Sequence, residues 1–132
     1  MTYVEKCLYD YLANIAALEY LQEELINLKS IHGHSYEINK SSVGSDPVIN
    51  TVNNRMELEK KISKLGKKIN PIKRLIDDLE SREHLKKILL LKYISHGKND
   101  YVQKEMNMSS ATYWRRVREL LRIAKKYFGN EE

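Results

Sequence analysis

From about Thr2 to Ser30 the apolar residues return in steps of four and three. Val4, Leu8, Tyr11, Ile15, Leu18 and Leu25 mark this face, with Gln22 as its one polar interruption. The spacing predicts one long helix, and Leu12, Leu21 and Leu28 widen its stripe beyond a narrow two-stranded seam. At about 1.5 Å per residue such a helix runs roughly 40 Å, so it needs another helix to cover its apolar face. Residues 31–46, IHGHSYEINKSSVGSD, lose the period and collect glycine and serine, which predicts a loop. Asp46-Pro47 then predicts a helix start, with Asp46 as cap and Pro47 at the first helical position. The cleanest repeat in the chain follows. Leu58, Ile62, Leu65, Ile69, Ile72, Ile76 and Leu79 step four, three, four, three, as heptad core positions do, with lysines and acids between them. Asn70-Pro71 interrupts this run; either a kink or a fresh start with Asn70 as cap would keep the apolar phase.

The last third reads differently. A helix opening at Ser81 or Arg82 carries Leu85, Ile88, Leu89, Lys92 and Tyr93 along one stripe, and His96-Gly97 ends it. Asn99 or Asp100 should cap a short helix whose core pair is Val102 and Met106. Met106-Asn107-Met108 is a turn in which Asn107 tolerates the left-handed conformation. Ser109 is the natural cap of a final helix whose apolar face is Tyr113, Val117, Leu120, Leu121, Ala124 and Phe128. The expected fold class is therefore all-α: a long, antiparallel, coiled-coil-like helical hairpin followed by a C-terminal helix-turn-helix domain. The hairpin arm is expected over residues 1–80, with its loop at about 31–46, and the second domain over residues 81–132. A lone hairpin leaves apolar surface uncovered, so a homodimer is expected, joined through Leu8, Ile15, Leu18, Leu25, Leu58, Ile62, Leu65 and Ile69.

Charge sharpens the picture. The 132-residue chain carries a formal net charge of +5. It is unevenly spread: residues 1–57 hold four cations against eight acids, and residues 58–132 hold nineteen against ten. A basic back half suggests a polyanionic partner. At about 100° per residue, Ala111, Trp114, Arg115, Arg118, Arg122 and Lys125 fall on the side of the last helix opposite its apolar stripe. No acid lies between Asn107 and Arg118. Recognition helices use their N-terminal turns to reach base edges while flanking cations hold phosphates. Arginine can also grip guanine with two hydrogen bonds. Double-stranded DNA is the expected partner. Trp114 stands at the edge of the apolar face, where it could touch DNA or complete the core.

Other chemistry is poorly served. Asp77-Asp78 are helix neighbours that point apart, no phosphate-cradling glycine loop exists, and Cys7 is remote from every histidine. No catalytic residues, metal site or cofactor are expected, and an enzyme is the least favoured class. His32 and His34 lack further ligands nearby and read as solvated loop residues. A single cysteine permits no intrachain disulfide, and there is neither a basic leader nor an apolar run near 18 residues. The expected location is the cytoplasm of a bacterial host, away from membrane.

The segment ILLLKYISHGKNDYVQKEMNMSSATYWRRVRELLRIAKKYF resembles the sigma-factor region 4 type of helix-turn-helix. Within that group it is similar to phage and prophage transcriptional regulators of the RinA and ArpU type. ILLLKYI, the MNMS turn and TYWRRVREL carry the resemblance; the front matches related phage proteins in layout alone. The resemblance implies a DNA-binding regulator of phage late-gene promoters that acts with RNA polymerase. By position, Ser110, Ala111, Trp114, Arg115 and Arg118 would then face the major groove. Ser109, Thr112, Arg116 and Arg122 would support phosphate contacts. Gln103 departs from the alanine usual after the first core residue of the short helix, and the chain lacks the other regions of a complete sigma factor. Two alternative functions fit the same layout: a small terminase-like DNA-packaging protein, and a helical adaptor that binds protein through its arm.

Overall fold

The computed structural model describes the backbone of residues 1–38 and 47–129, and the side chains of those residues outside 29–51. Every regular element among them is helical. Helix α1 spans Tyr3–Tyr9 and α2 spans Tyr11–Ile38. Helix α3 runs Pro47–Asp78 and passes into a 3-10 turn at Leu79–Ser81. Helix α4, Glu83–Ile88, continues as a π turn over Leu89–Ile94, and α5 (Asn99–Glu105) and α6 (Ser110–Phe128) complete the chain.

Two boundaries differ from those the pattern predicts. The first helix is broken at Asp10, whose ψ is 4°, and beside the break the Tyr9 carbonyl accepts a hydrogen bond from His96 Nε2 at 2.6 Å. At its other end α2 continues to Ile38 through most of the expected loop. Gly33 costs a helix only about 1 kcal/mol and no proline stands before Pro47, so nothing in 31–38 forbids continuation. The remainder of the expected loop, 39–46, and the cap Asp46 lie outside the described residues, as do the side chains of His32 and His34. At Asn70-Pro71, where the pattern allows either a kink or a fresh start, α3 runs through Pro71 without a fresh start.

The chain divides into two compact units, one of residues 1–14 with 67–132 and one of residues 15–66. This division replaces the expected boundary at residue 80, because both ends of the arm sequence enter the core of the first unit. That core gathers Val4, Cys7 and Leu8 of α1, Ile69, Ile72 and Leu75 of α3, Leu85 and Ile88 of α4, and Val102 of α5. Helix α6 adds Tyr113, Val117, Leu120, Ala124 and Phe128. Leu8 and Ile69, expected to join two copies, are each 0% exposed within one chain and have no surface left for a partner.

The π turn accounts for a pattern that a helix with one covered face does not give. Lys92, Tyr93 and Ile94 are buried in succession, whereas one face of an α-helix takes positions three and four apart. An i to i+5 hydrogen bond, Ser95 N to Leu90 O at 2.8 Å, inserts one extra residue and turns Ile94 inward. The chain then reverses at His96, which adopts a left-handed φ of 58°, a conformation that histidine visits more readily than most residues. Gly97 donates to Leu91 O at 2.8 Å, and a Cβ at this glycine would lie 2.6 Å from that same carbonyl oxygen. Since the obstacle is backbone, Gly97→Ala is expected to lower stability by about 1–3 kcal/mol, read as a fall in the urea midpoint; an unchanged midpoint would show that the reversal is soft.

The second unit is built from parts of α2 and α3. Ile15, Leu18, Leu21, Leu25 and Leu28 of α2 and Leu58, Ile62 and Leu65 of α3 are half-buried. A recess is lined from both helices, by Glu24, Asn27 and Leu28 on one side and Asn54, Leu58 and Lys61 on the other. Among its described residues Tyr20, Ile26, Val52 and Met56 are exposed.

Candidate nucleic-acid interface

Helix α6 is placed by its cap and by its apolar face. Ser109 has extended backbone and its Oγ accepts from Thr112 N at 3.2 Å, satisfying one of the amides that a helix start leaves unpaired. Its hydroxyl also donates to Thr112 Oγ1 at 3.0 Å. The preceding turn has Asn107 at φ 53°, as the sequence predicts. Tyr113, Val117, Leu120, Ala124 and Phe128 are buried and Leu121 is half-buried, so the rotation of the helix about its axis is set by its core contacts.

That rotation decides which side chains are presented outward. Ser109, Ser110, Ala111, Arg115, Arg118, Arg122 and Lys125 are exposed, and no acid occurs in the first turn of α6. Trp114 is divided between the two expectations: 39% of it is exposed, while its ring packs edge-on against buried Tyr113 with centroids 5.2 Å apart. Thr112 is half-buried and bonded to Ser109.

Arg116, expected in the phosphate-contacting set, is ion-paired within its own helix. Its Nη1 is 3.0 Å from Glu119 Oε2, and the pair is largely covered, with Arg82 3.9 Å from the other carboxylate oxygen. A guanidinium neutralised by its own helix adds little to attraction for a polyanion. Four of the other cations of α6 lie at positions 115, 118, 122 and 125, steps of three and four that keep them on one side of the helix; Lys126, also exposed, stands off that line.

Beneath this face lies a residue that apolar periodicity alone presents as an ordinary stripe position. Lys92 is only 7% exposed. Its Nζ donates to Asn99 Oδ1 at 2.8 Å and to Tyr9 Oη at 3.1 Å, and it stands 5.0 Å from the Tyr93 ring centroid and 5.6 Å from that of Trp114. Asn99 Oδ1 also accepts from Tyr113 Oη at 2.8 Å. These bonds explain why Asn99 is not the cap of α5: the helix starts at Asn99 itself, after Lys98, with no side-chain cap. The only sequence signal was a lysine occupying a core position of a stripe.

Burial pushes the Tyr93 hydroxyl far above the ordinary tyrosine range and raises Tyr113 and Tyr11 as well. In the unfolded chain these phenols ionise near pH ~10, before the folded ones do. Stability is therefore fully present below that pH and is lost as pH rises through it toward the raised folded values. Tyr93→Phe should flatten this alkaline loss, measured as urea midpoints between about pH 8 and pH 11; a slope equal to that of the parent would show that Tyr93 ionises freely when folded.

Residues 39–127 match the model of a family described as Protein of unknown function (DUF1492). The chain belongs to this family. The matched region takes in α3 through almost all of α6, and so includes both the exposed cationic face and Lys92 beneath it. No curated protein and no solved structure matches this DUF1492 chain. Among its described residues no helix is long and apolar enough to cross a membrane, and no group of three or more His, Cys, Asp or Glu side chains could hold a metal ion.

Proposed function

We propose that this DUF1492 protein is a sequence-specific DNA-binding regulator of transcription, of phage origin and acting on late-gene promoters with RNA polymerase. In this reading α5, the Asn107 turn and α6 are a helix-turn-helix, and the arm parts of α2 and α3 are an antiparallel hairpin that joins two copies. The observation that carries it is the outward face of α6: four exposed cations at helical spacing, behind a capped N-terminus with no acid in the first turn.

The chemistry follows from position. The first turns of α6 enter the major groove, where Arg115 and Arg118 hydrogen-bond base edges. Arg122 and Lys125, further along the same side, hold phosphates and fix the register. The binding step is ion exchange at the backbone followed by base readout. No bond is made or broken, and no cofactor takes part.

Pairing of two copies is supported by the second unit. Ile15, Leu18, Leu25, Leu58, Ile62 and Leu65 are only half-buried, and Tyr20, Ile26, Val52 and Met56 stay exposed. A helix pair that leaves this much apolar surface gains by covering it with a copy of itself.

Binding to a pool of host and phage genome fragments at near-physiological salt, with the bound DNA sequenced and the complex mass measured, tests the whole reading. The expected result is a promoter site enriched and bound by a dimer, its two half-sites separated by about one helical turn or a multiple of it. Enrichment of a packaging region by a ring of many subunits would move the assignment to a terminase-like protein. Absence of any enrichment would leave a protein-binding adaptor.

A further inference from the structure

Lys92 poses a physical question. A methionine would fill the same stripe position with no charge to desolvate, and burying a cation is costly unless its donors are used. Among the described residues no carboxylate pairs with it. Its partners are instead the Tyr9 hydroxyl, the Asn99 amide oxygen and the faces of Tyr93 and Trp114. One amino group thus touches α1, the π turn, α5 and α6 at once. Two of these links end on α6. The first is direct, with Nζ 5.6 Å from the Trp114 centroid and within the reach of a cation–π contact. The second runs through Asn99, which accepts from both Lys92 and Tyr113. An apolar side chain at 92 could fill the volume but could make neither link.

We infer that Lys92 is a positioning residue of the DNA-binding face: it holds the Trp114 indole and, through Asn99 and Tyr113, the first turns of α6 in the orientation that meets DNA. The inference rests on the DNA-binding reading, and it adds a residue that never touches the nucleic acid. The π turn is part of the device, since the extra residue it inserts helps bring Lys92, Tyr93 and Ile94 inward together. Trp114 is then neither a core residue nor a loose surface one. Its inner face lies on a cation and its outer part is offered to solvent.

The 132-residue chain has a single tryptophan, so its indole fluorescence reports on Trp114 alone. Lys92→Met should keep the helical circular dichroism while moving Trp114 emission to longer wavelength and increasing its quenching by acrylamide. Lys92→Arg, which keeps a cationic donor, should restore most of the parent signal. DNA affinity of Lys92→Met should fall roughly three- to thirtyfold, the scale of one or two charged-donor contacts. The same change made in a Trp114→Ala background should cost clearly less than in the parent, because the direct link is already gone and only the one through Asn99 and Tyr113 remains to be lost. Unmoved emission and quenching would overturn the inference, and so would an equal affinity loss in both backgrounds, which would mark Lys92 as a long-range charge only. Should Lys92→Met fail to fold, Tyr9→Phe removes one hydrogen-bond partner of Lys92 and keeps its ring; a shifted Trp114 emission then supports the inference and an unshifted one overturns it. A parent chain that bound no DNA would defeat the functional reading separately, since the fluorescence needs no DNA.

Discussion

Leu8→Ala and Ile69→Ala are each expected to lower the free energy of unfolding by about 2–5 kcal/mol, enough to remove much of the stability of a small domain. Both side chains are 0% exposed, and they come from opposite ends of what reads in sequence as a separate arm. Truncating either leaves a cavity between α1, α3 and the elements that support α6, where the surroundings are helices fixed by many other contacts and cannot collapse fully. Urea unfolding followed by far-ultraviolet circular dichroism measures the loss. A cost under about 1 kcal/mol would mean that these residues sit at a yielding surface. Ile62→Asp makes the contrast, because Ile62 is half-buried in the second unit. It should reduce the assembled mass while leaving the first unit folded, with Trp114 fluorescence unchanged. The alanine variants, where folded, should assemble as the parent does.

Spacing alone does not assign Leu8 and Ile69 to a unit. Periodicity tells which positions of a helix are covered, never by what. Leu8 and Ile69 sit in perfect phase with Ile15 and Leu65, yet the first pair serves one unit and the second pair the other. Nothing in the spacing marks the crossing. The break at Asp10 is equally silent, since the carbonyl it leaves at Tyr9 is taken by His96, 87 residues away in sequence. Where local chemistry decides, sequence and structure agree: the left-handed Asn107 and the Ser109 cap depend on neighbours within one or two turns. Where a side chain is recruited from afar, local rules failed. Asn99 would have been a good cap for α5 and is spent on Lys92 and Tyr113 instead. Arg116 is a different case, since its partner Glu119 is a helix neighbour three residues on that the spacing itself offers. The π turn was invisible for a related reason: LLLKYI satisfies an α-helical stripe well, and only its packing shows that one more residue faces inward.

If α6 reads DNA, its exposed cations should separate into two classes on mutation. Arg115→Ala and Arg118→Ala, nearest the start of the helix on its outward side, should each weaken binding to the selected site by about 1–3 kcal/mol and relax the base preference at one position. Binding to random DNA should change much less. Arg122→Ala and Lys125→Ala should lower affinity on every sequence alike and reduce the salt dependence by about one counterion each, because a phosphate contact is an ion exchange and carries no sequence information. Arg116→Ala provides the internal control. Its guanidinium is already neutralised by Glu119, so it should scarcely change the salt slope and should cost stability instead, by leaving Glu119 with only Arg82, at 3.9 Å. Titrations of selected and random duplexes across a range of salt concentrations give all three quantities at once. Equal losses from Arg115, Arg118, Arg122 and Lys125 on both kinds of DNA would reduce the face to a general polyanion-binding surface. A salt slope that falls as much for Arg116→Ala as for Arg122→Ala would show that the Glu119 pair opens on binding, and would return Arg116 to the phosphate-contacting set.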